Sequence, residues 1–360
     1  MSKQSKPRIE YLDFYRAFAI LAVIMIHVTS FPLIQTDQSS WQHFFYFILN
    51  SSSQFAVPAF LFLSGLVLFY NYYNTGHGMG WVATFYRKRL LYIVIPYFVW
   101  SLFYYLFLQY AAHGNALLNM DQFFVKLVTG NNYAHLYFFI IIIQFYVLFP
   151  ALVHFVQRYK LEKWLILFAF VFHVIFFIIN NHWLHFQRTG VLFFSYFLQF
   201  CAGAYAGMNF EHASRTLVRY KWVIAVLYVG GSLLYIFAGK IYYQWIPALL
   251  PYKPYLNQII YFGFTLAASA FLLVLANRIY RADSMAWAKR ALNSIGTATF
   301  VIFLVHPFFL ALWRRYVVDQ FGAYYHYLTL LGFLVVLLCS WGSYLLLAKY
   351  KRYTWWITGK

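Results

Sequence analysis

The chain has 360 residues, of which 63% are hydrophobic, 24% aromatic and only 10% charged, with a formal net charge of +19. Soluble domains carry about a quarter charged residues, so the composition excludes an ordinary water-soluble fold. It points to a single all-α integral membrane domain covering 1–360, with no separate soluble domain expected. Cys201 and Cys339 lie inside apolar runs and offer neither a disulfide framework nor a metal signature.

A membrane-crossing helix needs about 20 mostly apolar residues. Ten such stretches follow one another, at roughly 10–32, 54–74, 90–112, 135–157, 162–180, 190–209, 220–239, 257–277, 296–316 and 327–348. The first is too long for the apolar core of a signal peptide and has no small-residue cleavage site, so it is a retained span. The second is interrupted by Ser51–Gln54 and by Pro58 and follows an apolar run at 44–49, so it is expected to start earlier and kink. Along the chain there is no Pro- or Ser-rich linker and no obvious internal repeat.

An even number of spans puts both termini on one side, and the positive-inside rule chooses the side. Twenty of the 27 Lys and Arg residues fall on the side of the termini, from Lys3, Lys6 and Arg8 to Lys349, Lys351, Arg352 and Lys360. The opposite side has only Lys126, Arg188, Lys240, Lys253, Arg314 and Arg315. Both termini are therefore expected in the cytoplasm. The basic excess then reflects topology, and nucleic acid is excluded as a partner. Trp41, Trp81, Trp183, Trp245, Trp355 and Trp356 crowd the expected interfaces as an aromatic belt.

The first span carries side chains that lipid disfavours. Arg16 and His27 are eleven residues apart, about 20° past three full helical turns and about 16 Å along the axis. Asp13 is one turn before Arg16, on the same face and able to pair with it. Arg16 alone could snorkel to the headgroups and His27 alone could bond an outer-leaflet group, but snorkelling does not explain a shared face. Ionisable groups within spans usually face a bundle interior or an aqueous cavity. Histidine, which titrates near working pH, is the natural general base on such a stripe.

The segment LDFYRAFAILAVIMIH, with Leu12, Asp13, Arg16 and His27 at their spacing, resembles the opening of membrane-bound acyltransferase family 3. VPAFLFLSG (57–65), RKRLLYIVIPYFVWS (87–101), HLYFFIIIIQFYVLFPAL (135–152) and FVIFLVHPFF (300–309) resemble later motifs of the family in the same order, so the resemblance covers nearly the whole chain. It implies an O-acyltransferase that moves an acyl group, acetyl or succinyl, from cytoplasmic acyl-CoA to a hydroxyl of a cell-surface glycan or its lipid-linked precursor. His27 would be the general base, and Arg16 would position the donor or stabilise developing negative charge. No permanently bound cofactor is implied, acetyl-CoA or succinyl-CoA being a donor substrate.

Arg87, Lys88 and Arg89 could bind the phosphates of CoA, or be an ordinary cytoplasmic basic loop. The family's second arginine is replaced here by Tyr92 if Arg89 is the first, which weakens a two-arginine clamp. His306, before Pro307, is expected to line the same cavity or to serve a proline kink. His135 is expected near the acceptor entrance or as a wet interfacial histidine. Ser64 and Gly65 read as a small packing pair, and without a Gly-x-Ser-x-Gly elbow a serine acyl-enzyme is not expected. His182 and His185 have no third ligand nearby, so no metal is expected.

The expected partners are acyl-CoA, the saccharide acceptor, the lipid bilayer and a polysaccharide-synthesis complex. The expected location is a bacterial plasma membrane. The alternative is a polytopic transporter or flippase for a saccharide or lipid, with the stripe as its path. That reading lacks the inverted repeats and paired broken helices common in transporters.

Overall fold

A computed structural model describes residues 6–74, 79–284 and 286–359, and every regular element among them is helical. Lys3 and Lys360 of the charge asymmetry lie outside the described residues. Nine described segments are long and apolar enough to cross a membrane, beginning with Leu12–Gln35, Trp41–Tyr72 and Gly80–His113.

The first span is α1 (Leu12–Ser30), which runs into a single helical turn at Pro32–Gln35. The second does begin early, as α2 (Trp41–Ser53), and continues as α3 (Ala56–Tyr72) after a break at Gln54 and Phe55. The side chain of Ser40 accepts from His43 N and caps the start of α2. Pro58 falls in the first turn of α3, where its missing N–H leaves no helical bond unmade. The third span joins α4 (Met79–Arg89) to α5 (Ile95–His113) through a π-helical turn, Leu90–Val94, just before Pro96. Arg87, Lys88 and Arg89 close the last turn of α4, where the helix dipole favours cations.

After the short α6 (Met120–Thr129) come α7 (Tyr137–Arg158) and α8 (Leu165–Ile179). The segment expected at 190–209 forms two 3₁₀ turns, Thr189–Val191 and Phe193–Tyr196, before α9 (Phe197–Met208), a helix of only 12 residues. Its length is about 18 Å, short of the roughly 30 Å hydrocarbon core. The physical reason sits in α7. Gln144 donates to Val191 O at 2.8 Å and accepts from Phe193 N at 3.1 Å, holding the backbone in turns. The chain then continues through α10 (Phe210–Arg219), α11 (Lys221–Lys240), α12 (Lys253–Arg281), α13 (Ala286–Trp313), α14 (Tyr325–Lys349) and α15 (Lys351–Thr358).

The helices form two compact units, one of Pro7–Phe62 with Asn209–Tyr344, the other mainly of Leu63–Met208 with Leu345–Lys360. In the first, α1 packs on α13 so closely that a Cβ at Gly296 would lie 1.8 Å from Asp13 O. Small residues at such contacts let helix backbones approach where lipid supplies no hydrophobic drive. In the second, Gly65 and Gly207 do the same for α3 and α9, with a Cβ at each meeting Phe200 O at 2.1 Å and Leu66 O at 2.2 Å. Gly65 is thus the packing residue its sequence context suggests. Phe145 of α7 stacks on Phe200 of α9 with ring centroids 4.2 Å apart, and Phe149 meets Phe69 and Phe85 edge-on or tilted.

Candidate functional site

Asp13 is 2% exposed and holds two arginines. Arg16 Nη1 donates to Asp13 Oδ1 at 2.5 Å, and Arg8 donates to Asp13 Oδ2. The pairing one turn apart follows from helix geometry, and it neutralises a carboxylate otherwise too costly to bury. The Arg16 side chain keeps 32% of its surface exposed, so part of its guanidinium remains presentable to a ligand.

His27 lies in the last turn of α1 and is partly exposed. The His306 ring, from α13, sits 5.1 Å from it between centroids, tilted by 54°. His306 is fully buried, and its Nδ1 is 3.0 Å from Ile302 O. A carbonyl only accepts, so Nδ1 carries the proton and the neutral ring has its lone pair on Nε2. The contact at Gly296 and Asp13 starts a parallel approach of α13 to α1, and the same approach carries His306 to His27.

Arg314 completes this end. It opens a π-helical turn, Arg314–Val318, and its Nη2 donates to His27 O at 2.6 Å, with Val28 O at 3.5 Å. The guanidinium also lies over the Phe31 ring at 5.1 Å. The last carbonyls of a helix lack intrahelical donors and carry partial negative charge, and Arg314 satisfies both needs. On the α2 side, Asn50 Nδ2 donates to Ile26 O and Thr29 Oγ1, each at 3.0 Å, and Gln54 Nε2 donates to Asn50 Oδ1 at 2.8 Å. The backbone on both sides of His27 is therefore fixed by side chains from other helices.

Sequence reasoning missed Arg314, Asn50 and Gln54. In the sequence Arg314 and Arg315 stand out only as charges on the side where basic residues are rare, and that rarity is the available signal. Asn50 adjoins, and Gln54 ends, the polar interruption at 51–54 where a kink is expected.

Arg87, Lys88, Arg89 and His135 belong to the other unit. Arg87 and Lys88 are exposed, while Arg89 lies over the rings of Phe85 at 5.0 Å and Tyr146 at 4.8 Å. His135 is 1% exposed and packs edge-on to Tyr104 and Tyr133, so it is not a wet interfacial residue.

The sequence model of a family described as acyltransferase domain matches residues 9–346. The chain belongs to that acyltransferase domain family. Proteins named "Probable poly-beta-1,6-N-acetyl-D-glucosamine export protein" from Staphylococcus aureus strains MRSA252 and NCTC 8325 are each 26% identical over 322 residues, covering 85% of this chain and 83% of theirs. No solved structure matches. The acyltransferase domain match takes in the whole of α1 and α13, and so the stripe, the histidine pair and Arg314 all fall within it.

Proposed function

We propose that this membrane protein is an O-acyltransferase carrying an acetyl or succinyl group from acyl-CoA to a hydroxyl of a surface glycan or its lipid-linked precursor, at a bacterial plasma membrane. The observation that supports this reading best is the histidine pair at the end of the α1 stripe, with His27 partly exposed and His306 buried behind it. His27 would take the proton of the acceptor hydroxyl as its oxygen attacks the thioester carbonyl. The C–S bond then breaks, and the departing CoA thiolate takes the proton back from the imidazolium. His306, its tautomer set by Ile302, would offer Nε2 electron density to the charged state of His27.

Arg16 is about 16 Å from His27 along the helix, too far to stabilise an oxyanion at the reacting carbonyl. Its role in this reading is to hold a distant part of the donor, and Asp13 presets its side chain for that. Arg87 and Lys88, exposed at the end of α4, are proposed to meet the phosphates of CoA, whose charge the guanidinium fork suits. The names of the relatives suggest that the acceptor is a β-1,6-linked N-acetylglucosamine polymer, supplied by a polysaccharide-synthesis complex.

The same names favour a second reading, in which the chain exports that polymer. One assay separates the two: purified protein in proteoliposomes, radiolabelled acetyl-CoA or succinyl-CoA, and β-1,6-linked N-acetylglucosamine oligosaccharides. Acyl label on the saccharide is expected, falling by about 10²-fold or more in His27→Ala, in line with loss of a general base. Polymer crossing proteoliposomes with no acyl incorporation would establish export instead.

A further inference from the structure

A second feature lies wholly in the unit formed by Leu63–Met208 and has no part in the chemistry above. It is a groove of about 680 Å³ between α7, α8 and the segment leading into α9. That volume is in the range of sites for small organic ligands, about 300–1,000 Å³. Its floor runs along one stripe of α7, Phe145, Leu148, Leu152 and Phe155, continued by Tyr159 just past the helix end, at alternating spacings of three and four. Opposite, Phe168 and Phe172 of α8 and Phe197 of α9 form an aromatic wall, with Phe172 and Phe197 4.7 Å apart between centroids. The deep end closes where Phe145 meets Phe193 edge-on at 5.9 Å.

The shallow end has a different character. His154 and Arg158, both exposed, line the groove one turn apart where α7 ends. Among the described residues no carboxylate forms a salt bridge with Arg158. Lys160 and Lys163 follow in the exposed loop, and the acid between them, Glu162, accepts a hydrogen bond from Tyr73 at 2.5 Å. From Arg158 to Phe145 is thirteen residues, about 20 Å along the helix. One leaflet contributes about 15 Å of hydrocarbon. A cation at headgroup level above an apolar channel about one leaflet deep has the dimensions of a lipid.

We propose that this groove binds an anionic phospholipid of the bilayer, its phosphate on Arg158 and His154 and one acyl chain along Leu152, Leu148 and Phe145. Residues 145–158 belong to a segment, Tyr137–Arg158, long and apolar enough to cross a membrane, so in this proposal the acyl chain enters sideways from the leaflet. The proposal stands apart from acyl transfer, and its test reads lipid only.

Full-length protein is reconstituted in vesicles of phosphatidylcholine with phosphatidylglycerol as the minor component, extracted gently, and its retained lipids are quantified by native mass spectrometry. Wild type is expected to enrich phosphatidylglycerol over the vesicle composition. Arg158→Gln should lower that enrichment about fivefold, the equivalent of one basic residue near an anionic headgroup. Ala151→Trp, which fills the groove from an exposed position, should lower retention of both lipids, and Arg352→Gln should leave the wild-type pattern. Inorganic phosphate at the concentration of the lipid phosphate should not displace the lipid, because the acyl chain contributes most of the buried surface. Equal retention of the two lipids by wild type, an unaltered pattern in both groove variants, displacement by inorganic phosphate alone, or preference for an added polyprenyl phosphate over phosphatidylglycerol would each overturn the proposal.

Discussion

At the residue scale, the weight of the site falls on how His27 is held. A histidine on the final turn of a helix sits where backbone bonds are fewest and fraying is easiest. Here two of those backbone acceptors are occupied from outside the helix, His27 O by Arg314 and Ile26 O by Asn50. A hydrogen bond involving a charged group contributes about 1.5–3 kcal/mol, so Arg314→Gln should lower acyl transfer by about tenfold or more. The loss should appear in kcat, with acyl-CoA KM little changed, because Arg314 acts through the position of His27. Arg315→Gln, an exposed neighbour in the same turn, serves as the control and should remain near wild type. If the two variants behave alike, Arg314 has no positioning role. The stripe itself was legible from the sequence because the spacing of Asp13, Arg16 and His27 is a property of one helix. Arg314 was not, since its partner is 287 residues away in the chain.

At the element scale, the approach of α13 to α1 decides whether the two histidines meet. A methyl group at Gly296 would overlap the carbonyl of Asp13, a rigid backbone atom that cannot rotate aside. Overpacking of this kind costs about 1–3 kcal/mol even where side chains can adjust. Gly296→Ala should therefore lower the thermal midpoint in detergent measurably and reduce activity with it. Gly263→Ala is the matched control, because a Cβ there meets nothing within 4 Å and alanine favours the helix. Equal midpoints for the two variants would mean that the close approach is not needed. Gly263 stands between aromatic residues and Gly296 in a stretch of Ser, Thr and Ala, but neither context names the surface the glycine meets. Only the partner surface distinguishes a required glycine from a replaceable one.

At the scale of the whole molecule, the parity of the spans sets the side of each terminus. Among the described residues nine segments satisfy length and hydropathy for crossing, and an odd count would put the termini on opposite sides. The asymmetry of Lys and Arg argues for an even count, which requires the 3₁₀ turns and α9 to cross as a shortened tenth pass. Labelling of single cysteines by an impermeant reagent in intact cells tests this. A cysteine in place of Arg188 should label from outside, and one in place of Arg219 or Arg352 should not. External labelling of the Arg219 position with protection of Arg188 would invert the topology. Labelling of both Arg188 and Arg219 would remove the short pass.

What the sequence determined by itself was whatever depends on near neighbours along the chain. Hydropathy over about 20 residues defines spans, helical periodicity puts Asp13, Arg16 and His27 on one face, and the motif order points to the family. The tertiary structure alone decided the pairing of His27 with His306, the Arg314 cap, the glycine at which α1 and α13 touch, and the 3₁₀ turns where Gln144 holds the backbone. Each of these depends on which distant segments pack together. In lipid that choice rests on shape and a few polar contacts rather than on hydrophobicity, so an almost uniformly apolar sequence leaves little record of it.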